Sequence, residues 1–550
     1  MRAPTSDREI ELKLLVDPAQ LGGIADRLRD SPTAFSRQAA RWLESRYFDT
    51  PDRRFARRGV ALRVRRTAGL GAEADDAPSF LQTIKAGSDS HGAHTERGEW
   101  ECAVDDWTPR LDLVTDKEAL EKLGLVLQEE LELVVASEIE RNVVLVEQPV
   151  PGEPAAIIEV AFDSGRLIAR PTGEGAADRV LPIAEIELEL KAGPTRGLYL
   201  LLGQLRQWGR LAIGTEDKAE RGFRLAAGTW PSATKASKVT LEPAMRTGEA
   251  LGAILDNCLG QWLRNVRVAA DGRDIEGVHQ LRIAIRRSRS ALSIFAAALD
   301  TAERKSWNKR LKSVITATGP ARQRDVFATQ LLPTIAASAP ADAAPALGAL
   351  AAGLEAEQSA AYEEVRRFLA SDEHADLLLD WASWVALEGW QEGASETARD
   401  VLARPVVEVA RELLHKRHKR VKKLGKDFAA LTDAERHQVR LALKKLRYGV
   451  EFLGGLFPKK AAKRYAKAAA ALQDELGLLN DQAEATALLD ELAARAPAKP
   501  AAGRLRLERG IGFVLGWQAE ALTHRRDAAT AAWQTFIAQA PFWHATGDSA

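Results

Sequence analysis

The sequence predicts an α+β N-terminal half built around a closed or cupped sheet, followed by an all-helical half with an internal repeat. Three observations carry this reading. Four segments before residue 192 place charges of both signs on one face and apolar side chains on the other, at a period of two. From about residue 244 alanine becomes abundant and 3–4 spacing replaces alternation. One His-and-base pattern then occurs twice in the helical half.

At 550 residues the chain is long enough for two or more domains with separate cores. Its 77 Lys+Arg and 77 Asp+Glu cancel overall but not locally. Residues 93–159 hold 17 acidic and 5 basic side chains, whereas residues 405–470 hold 18 basic and 6 acidic ones. The basic excess points to an anionic partner for the C-terminal half. Cys102 and Cys258 are too far apart to form a metal or disulfide pattern, and Cys102 falls on the apolar face of its strand as a packed thiol. Asp7, Arg8, Glu9 and Glu11 stand where a signal peptide needs an apolar core. No apolar run approaches the ~18 residues of a membrane span. The expectation is a soluble cytoplasmic protein with no membrane partner.

In chain order, the strand at 8–15 turns Glu9, Glu11 and Lys13 to one side and Ile10 and Leu12 to the other. Asp17-Pro18 starts a helix at 18–29. Strands follow at 43–48, at 59–66 (Arg63 and Arg65 alternating with Leu62 and Val64) and at 79–86. Another lies at 96–104, where Arg97, Glu99 and Glu101 alternate with Trp100 and Cys102. A helix near 116–124 precedes strands at 131–147, 155–162 and 182–191. The last sets Glu185, Glu187, Glu189 and Lys191 against Ile186, Leu188 and Leu190. Gly193-Pro194-Thr195 starts a helix at 195–208; 68–78 and 171–179 read as loops and 229–243 as a linker. Acids and bases shared among four strands read as the lining of a cavity, and such a lining suits a metal-bound phosphate substrate.

The helical half breaks at 270–274, 318–320, 339–345, 392–395, 431–433, 457–458 and 496–503, the last Pro-, Ala- and Lys-rich and read as a mobile link. His279, Arg282, Arg286 and Arg289 recur as His437, Arg440, Lys444 and Arg447, at i, i+3, i+7 and i+10. This spacing keeps each set on one helical stripe. Thr432 and Glu435 form a capping-box pattern ahead of the second copy. Glycine-bearing turns are expected after each copy, at Gly319–Asp325 and Gly477–Asp481, and two related halves about a pseudo-twofold axis follow from the repeat. A third basic segment, 411–423, includes His415 and Lys419 and reads either as a polyanion-binding rim or as a solvated basic face. Trp381, Trp384 and Trp390 read as core. The basic helices lack interleaved aromatic residues, so nucleic acid is not the expected partner.

The first half resembles the CYTH family, the triphosphate tunnel metalloenzymes. The resemblance rests on Glu9-x-Glu11-x-Lys13, Tyr47-Phe48-Asp49-Thr50-Pro51, Arg63-x-Arg65, Lys85, Arg97-x-Glu99-x-Glu101, Arg141, Glu159-x-x-x-Asp163, the Glu185/Glu187/Glu189 run and Lys218-x-x-Arg221-Gly222. The second half resembles the CHAD family through its two His-x-x-Arg copies and Gly477-x-x-Asn480-Asp481. It departs where Gln323 follows Ala321-Arg322, a place where that family has a carboxylate.

The resemblance implies an antiparallel β-barrel or tunnel (1–228), a linker (229–243) and a helical-bundle domain (244–550). It implies hydrolysis of inorganic triphosphate to phosphate and pyrophosphate with Mg²⁺ or Mn²⁺. Lys13, Arg63, Arg65, Lys85, Arg97, Arg141, Lys218 and Arg221 would bind substrate. Glu9, Glu11, Glu159, Glu187 and Glu189 would hold metal, and Glu11, Lys85 and Arg63 would act in catalysis. The helical domain would bind inorganic polyphosphate through His279, Arg282, Arg286, Arg289, His437, Arg440, Lys444, Arg447, His415 and Lys419, which implies association with polyphosphate granules. Thiamine triphosphatase, nucleoside triphosphatase, class IV adenylyl cyclase and a non-catalytic polyphosphate scaffold are the alternatives.

Overall fold

The computed structural model describes residues 8–70, 79–124, 130–169, 177–495 and 501–544. Most of the expected loops at 68–78 and 171–179, and most of the link at 496–503, lie outside the described residues. The chain divides into two compact units, Met1–Ser232 with Ala375–Gly389, and Ala233–His374 with Trp390–Ala550.

The first unit is an antiparallel barrel. Its strands are β1 (Arg8–Val16), β2 (Ala34–Arg37), β3 (Arg41–Asp49), β4 (Val60–Gly69), β5 (Ser79–His91), β6 (His94–Val104), β7 (Glu132–Gln148), β8 (Ala156–Ala169), β9 (Arg179–Ala192) and β10 (Leu211–Gly214). The neighbour order β1-β6-β5-β4-β3-β7-β8-β9 closes through a β9–β1 pairing, so eight strands make the ring. β2 pairs with β7 outside the ring, and β10 pairs with the second half of β1.

The period-two pattern explains the closure. On β1, β4, β6 and β9 one face is charged and cannot be packed against a core, so the sheet curls that face inward around a cavity. The apolar face turns outward and is covered by helices. Leu12, Leu14, Ile158, Val160, Phe162, Ile186 and Leu188 are buried although they point away from the cavity. The covering helices include α1 (Pro18–Arg29), which packs on β8 and β9, and α4 (Arg196–Leu205), which packs on β7, β8 and β9. On the opposite wall Val60, Leu62, Val64, Ile84 and Trp100 join Phe55 of α2 (Arg54–Arg57) and Ala119 and Leu123 of α3 (Lys117–Leu123). Asp49, fully buried, accepts backbone N–H groups of Thr50, Phe55 and Ala56 at 2.8–3.0 Å and so anchors the turn into α2.

One barrel end is closed by α5 (Lys218–Ala227). Asp217 caps its N-terminus in a capping box with Glu220. Its Phe223 meets Tyr47 edge-on at 6.5 Å between ring centroids. Gly222 lets the helix lie on β7, since a Cβ there would meet Val135 Cγ1 at 2.5 Å. β2, α2, β10 and α5 are elements the sequence reading does not contain. Each is ten residues or shorter, too short for its own periodic signal.

The second unit is helical, with α6 (Thr247–Asp271), α7 (Ile275–Ile294), α8 (Thr301–Ala317), α9 (Gly319–Val326), α10 (Leu332–Ser338), α11 (Ala344–Leu369), α13 (Glu396–Ala403), α14 (Val406–Leu424), α15 (Asp433–Leu453), α16 (Lys459–Arg495) and α17 (Ala501–Ile537); most of α12 (Asp372–Ala386) belongs to the first unit. One core gathers Phe327, Ile335, Leu350, Leu354, Leu488, Leu489, Ile511 and Val514 from α10, α11, α16 and α17 and the π-helical turn before α10. Trp381 and Trp390 are fully buried, as core residues should be.

Both expected glycine-bearing turns are corrected. Gly319–Asp325 forms the helix α9, and Gly477–Asp481 lies inside the continuous α16. Burial of Leu472, Leu476, Leu488, Leu489 and Leu492 along α16 outweighs the helix cost of one glycine, about 1 kcal/mol. Cys102 is only half-buried, and its Sγ accepts from Gln82 Nε2 at 3.2 Å.

Candidate active site

Inside the barrel lies a cavity of about 490 Å³. Its lining includes Glu9, Glu11, Lys13, Arg63, Arg65, Lys85, Arg97, Arg141, Glu159, Glu187, Glu189 and Lys218. Of the first-unit residues selected from the sequence, Arg221 alone is absent from that lining. It stands behind the wall, where Nη2 donates to Glu185 and Nε to Asp217 O at 3.3 Å.

The charges form three groups. Around Glu9, the carboxylate accepts from Lys85 Nζ and Arg97 Nε, each at 2.9 Å. Burial opposes ionisation of Glu9, but Lys85 and Arg97 outweigh it and hold the carboxyl well below the usual carboxylate range. Arg97 also donates to Glu11 at 3.0 Å and Asp217 at 2.8 Å, so the cap of α5 is tied to the first strand.

At the α5 end, Asp163, Glu185 and Glu187 bring carboxylate oxygens within 4.8 Å of one another. Cations already fill this triad. Arg141 reaches Asp163 at 2.6 Å and Glu187 at 2.5 Å. Lys218 reaches all three carboxylates, at 2.5–2.8 Å. Lys13 meets Glu185 at 3.4 Å and pairs with Glu187. Despite burial, these cations hold the Glu187 carboxyl far below its ordinary range and, in return, the Arg141 guanidinium well above its own.

The third group is a row. Glu11 sits in register opposite Glu189, and Glu189 opposite Glu159, on three adjacent strands. Lys191 is the cation beside it, at 2.5 Å from Glu189 and 3.8 Å from Glu159. Burial, with Glu9 and Glu159 nearby, pushes the Glu189 carboxyl up to about 6. Glu11 Oε1 is buried and pairs with Lys13 Nζ at 2.8 Å. Adjacent like charges destabilise a sheet unless something neutralises them. Hard oxygen donors of this kind are what a divalent cation takes, although Lys13 and Arg97 already reach Glu11 and Lys191 reaches Glu189. Glu187 stands with the saturated triad rather than with this row.

The basic wall is formed by β4 and β5. Arg63 donates to Thr83 Oγ1 at 2.9 Å and lies 3.7 Å from Glu99 and 3.9 Å from Glu101. Arg65 donates Nε to Ser45 Oγ at 3.2 Å; burial, with Arg63 and Arg141 close by, lowers its guanidinium to about 10. The lining also takes Arg41, Lys191 and Asp217, which were not selected from the sequence. Lys191 and Asp163 stand inside quoted motifs. Asp217 is detectable as the N-cap before Lys218, whereas Arg41 lies ahead of the expected strand start and carries no signal.

In the helical unit the two repeat copies occupy the same place in their helices: His279 is the fifth residue of α7 and His437 the fifth of α15. α7 and α15 touch, which gathers Arg282, Arg286, Arg440, Lys444 and Arg447, with Arg322 from α9. Burial, followed by repulsion from Arg286, Arg440, Arg447 and Arg282, lowers Lys444 to about 7. Burial, with Arg322 and other arginines near it, brings His279 to about 4. Arg282 also has a structural contact, donating Nη1 to Ile315 O at 2.6 Å and Thr318 Oγ1 at 3.1 Å at the end of α8. Arg289 is half-buried and donates to Asn308 at 3.4 Å. His415 and Lys419 are exposed on α14 and outside this cluster; His415 Nδ1 lies 3.2 Å from His544 Nε2. No described helix is long and apolar enough to cross a membrane.

Comparison with known proteins follows the same division. The profile of the CYTH domain matches residues 7–223, and that of the CHAD domain residues 253–490. An inorganic triphosphatase of Haemophilus influenzae is 28% identical over 221 residues, which cover 40% of this chain and 55% of that protein. The chain thus spans about half the length of that curated relative. Among solved structures, the CHAD domain of Ricinus communis is 29% identical, with a TM-score of 0.47, over 56% of this chain and 96% of its own. The Hippeastrum protein HpAC1, whose structure is described with a dominant triphosphatase activity, is 19% identical with a TM-score of 0.28 over 40% of this chain and 97% of its own. The chain is a CYTH–CHAD protein, with a CYTH domain at its N-terminal end and a CHAD domain after it.

Proposed function

We propose that the barrel hydrolyses a phosphoanhydride bond of inorganic triphosphate, with a divalent metal ion as cofactor, and that the helical unit binds inorganic polyphosphate. The observation that supports this best is the pairing, in one cavity, of a basic wall with the acidic row Glu11–Glu189–Glu159. A site built only to hold an anion gains nothing from that row.

Glu9, Glu11, Glu159 and Glu189 would hold the metal, Mg²⁺ or Mn²⁺. When bound, the metal would neutralise phosphate charge and supply an activated water. The chain's own residues do the remainder. Arg63 and Arg65 offer paired N–H groups to phosphoryl oxygens, while Lys13, Lys85 and Lys218 act as point charges. Arg97, locked to Glu9, Glu11 and Asp217, keeps acids and bases in fixed register, so little reorganisation is needed as charge develops. Lys85 bridges the two walls through Glu9 and Glu99 and lies where a phosphoryl group would meet both. Arg221 supports Glu185 from behind rather than touching substrate.

Phosphate release from tripolyphosphate by the full chain, with Mg²⁺, Mn²⁺ or chelator, tests this reading. Release that stops with chelator is expected. Equal release with and without metal would remove the acidic row from the mechanism. Glu11→Gln is expected to lower kcat at least about tenfold, with a smaller change in KM.

A further inference from the structure

We propose that Lys191 is an exchangeable cation of the barrel cavity: it competes with a divalent metal for Glu189 and, once displaced, binds the phosphate of the substrate. This rests on the metal-dependent reading above and adds a residue to that site.

The lysines of the lining differ in how firmly they are held. Lys13 meets Glu11, Glu185 and Glu187, and Lys218 meets Asp163, Glu185 and Glu187. Lys85 lies between Glu9 at 2.9 Å and Glu99 at 3.0 Å. These three side chains are 8–16% exposed. Lys191 donates to Glu189 Oε1 at 2.5 Å, has Glu159 at 3.8 Å, and is 39% exposed. Moving Lys13 or Lys218 would strand buried carboxylates, which is strongly destabilising. Moving Lys191 releases Glu189 and Glu159, two of the acids that would hold the metal.

Position makes the two cations rivals. Lys191 follows Glu189 by two residues on β9, so both side chains face the cavity. Glu189 is in register with Glu159 on β8 and with Glu11 on β1. A bound Mg²⁺ sits about 2.1 Å from its carboxylate oxygens. An ammonium bonded to the same carboxylate would stand within a few ångströms of a double positive charge, and the two repel. The lysine is the one that can leave, because its stem is long, flexible and half in solvent. A phosphate anion bound to the metal brings acceptor oxygens into the same cavity, and a displaced ammonium binds them as a point charge.

The exchange has a sign. Removing the Lys191 charge should tighten metal binding and loosen substrate binding, opposite effects that loss of a merely structural contact does not give.

The test measures Mn²⁺ binding to the full chain by electron paramagnetic resonance of the free ion, in the wild type, Lys191→Met and Lys191→Arg. Lys191→Met should lower the Mn²⁺ Kd roughly two- to fivefold, the scale of one part-exposed ion pair, and Lys191→Arg should restore it. In a Glu189→Gln background the Lys191→Met effect should disappear, because the competition runs through that carboxylate. At saturating Mn²⁺, Lys191→Met should raise the KM for tripolyphosphate roughly tenfold, the worth of one charge-assisted contact. Unchanged or weaker Mn²⁺ binding by Lys191→Met, or an equal effect in the Glu189→Gln background, would overturn the competition. An unchanged KM would overturn the phosphate contact. If neither the wild type nor Lys191→Met binds Mn²⁺, the metal reading fails and this proposal with it. If the wild type binds Mn²⁺ as tightly as Lys191→Met, this proposal fails alone.

Discussion

Lys444 shows how a cluster of like charges is held at a cost to the fold. An unfolded lysine titrates near 10.5, whereas burial among Arg286, Arg440, Arg447 and Arg282 lowers this one to about 7. Between those values the unfolded chain holds a proton that the folded chain has released, so stability rises with pH across that window, and below pH 7 the penalty is complete. Lys444→Met is expected to raise Tm at pH 6 by about 2–4 °C, to lose that advantage as pH approaches 10, and to weaken polyphosphate binding; calorimetry at both pH values with a polyphosphate titration checks all three. Glu185 is the opposite case. It is fully buried and bonded to Lys13, Lys218 and Arg221. Glu185→Gln leaves three cations short of a partner and should cost about 3–5 kcal/mol, read as a lower urea midpoint; a midpoint within error of the wild type would show that solvent screens the network. The lining acids and bases of β1, β4, β6 and β9 were legible in the sequence because alternation reports which face a side chain takes, whereas Lys85, Arg141, Glu159 and Lys218 came only from the family resemblance. The pairing of the lining charges was not legible. Strand register decides that Arg141 meets Asp163 across the β7–β8 hairpin and that Glu11 meets Glu189 across strands far apart in sequence.

Elements differ in how far their own residues specify them. β1, β4, β6 and β9 carry complete alternation and are visible in sequence. β2, β10 and α5 exist because neighbours hold them, and α5 shows beforehand only as isolated basic residues, Lys218 and Arg221. α16 shows the converse error, since a glycine read as a turn lies inside a helix fixed by leucines on both sides. A Cβ at Gly477 meets nothing within 4 Å. Gly477→Ala should therefore stabilise the chain by about 0.5–1 kcal/mol, seen as a higher Tm. Destabilisation there would mean a non-helical backbone at that residue.

For the molecule as a whole, the cancelled net charge hides two electrostatic devices: a barrel in which both signs are interlocked, and a helical cluster of one sign. They should respond differently to salt. Polyphosphate binding through the cluster should fall steeply with ionic strength. An Arg286→Ala/Arg440→Ala double variant should both weaken binding and flatten that dependence, as titrations at several salt concentrations would show. An unchanged slope would move the binding surface to the α14 bases around His415 and Lys419. These two arginines suit the test better than Arg282, whose removal would also uncap α8. Two domains were legible from the change of period near residue 244, whereas the passage of 375–389 into the first compact unit was not, because its helical pattern matches its surroundings. Finally, the ring closes where β1 meets β9, joining Glu11 to Glu189 and Leu15 to Glu185. During synthesis the first strand emerges long before its last neighbour, and no intermediate length of chain can complete the sheet. The N-terminal unit must wait, edges exposed, for nearly 200 residues, while the helical unit nucleates from local contacts. Refolding should accordingly show a slow phase reported by the barrel and a faster one reported by the helices.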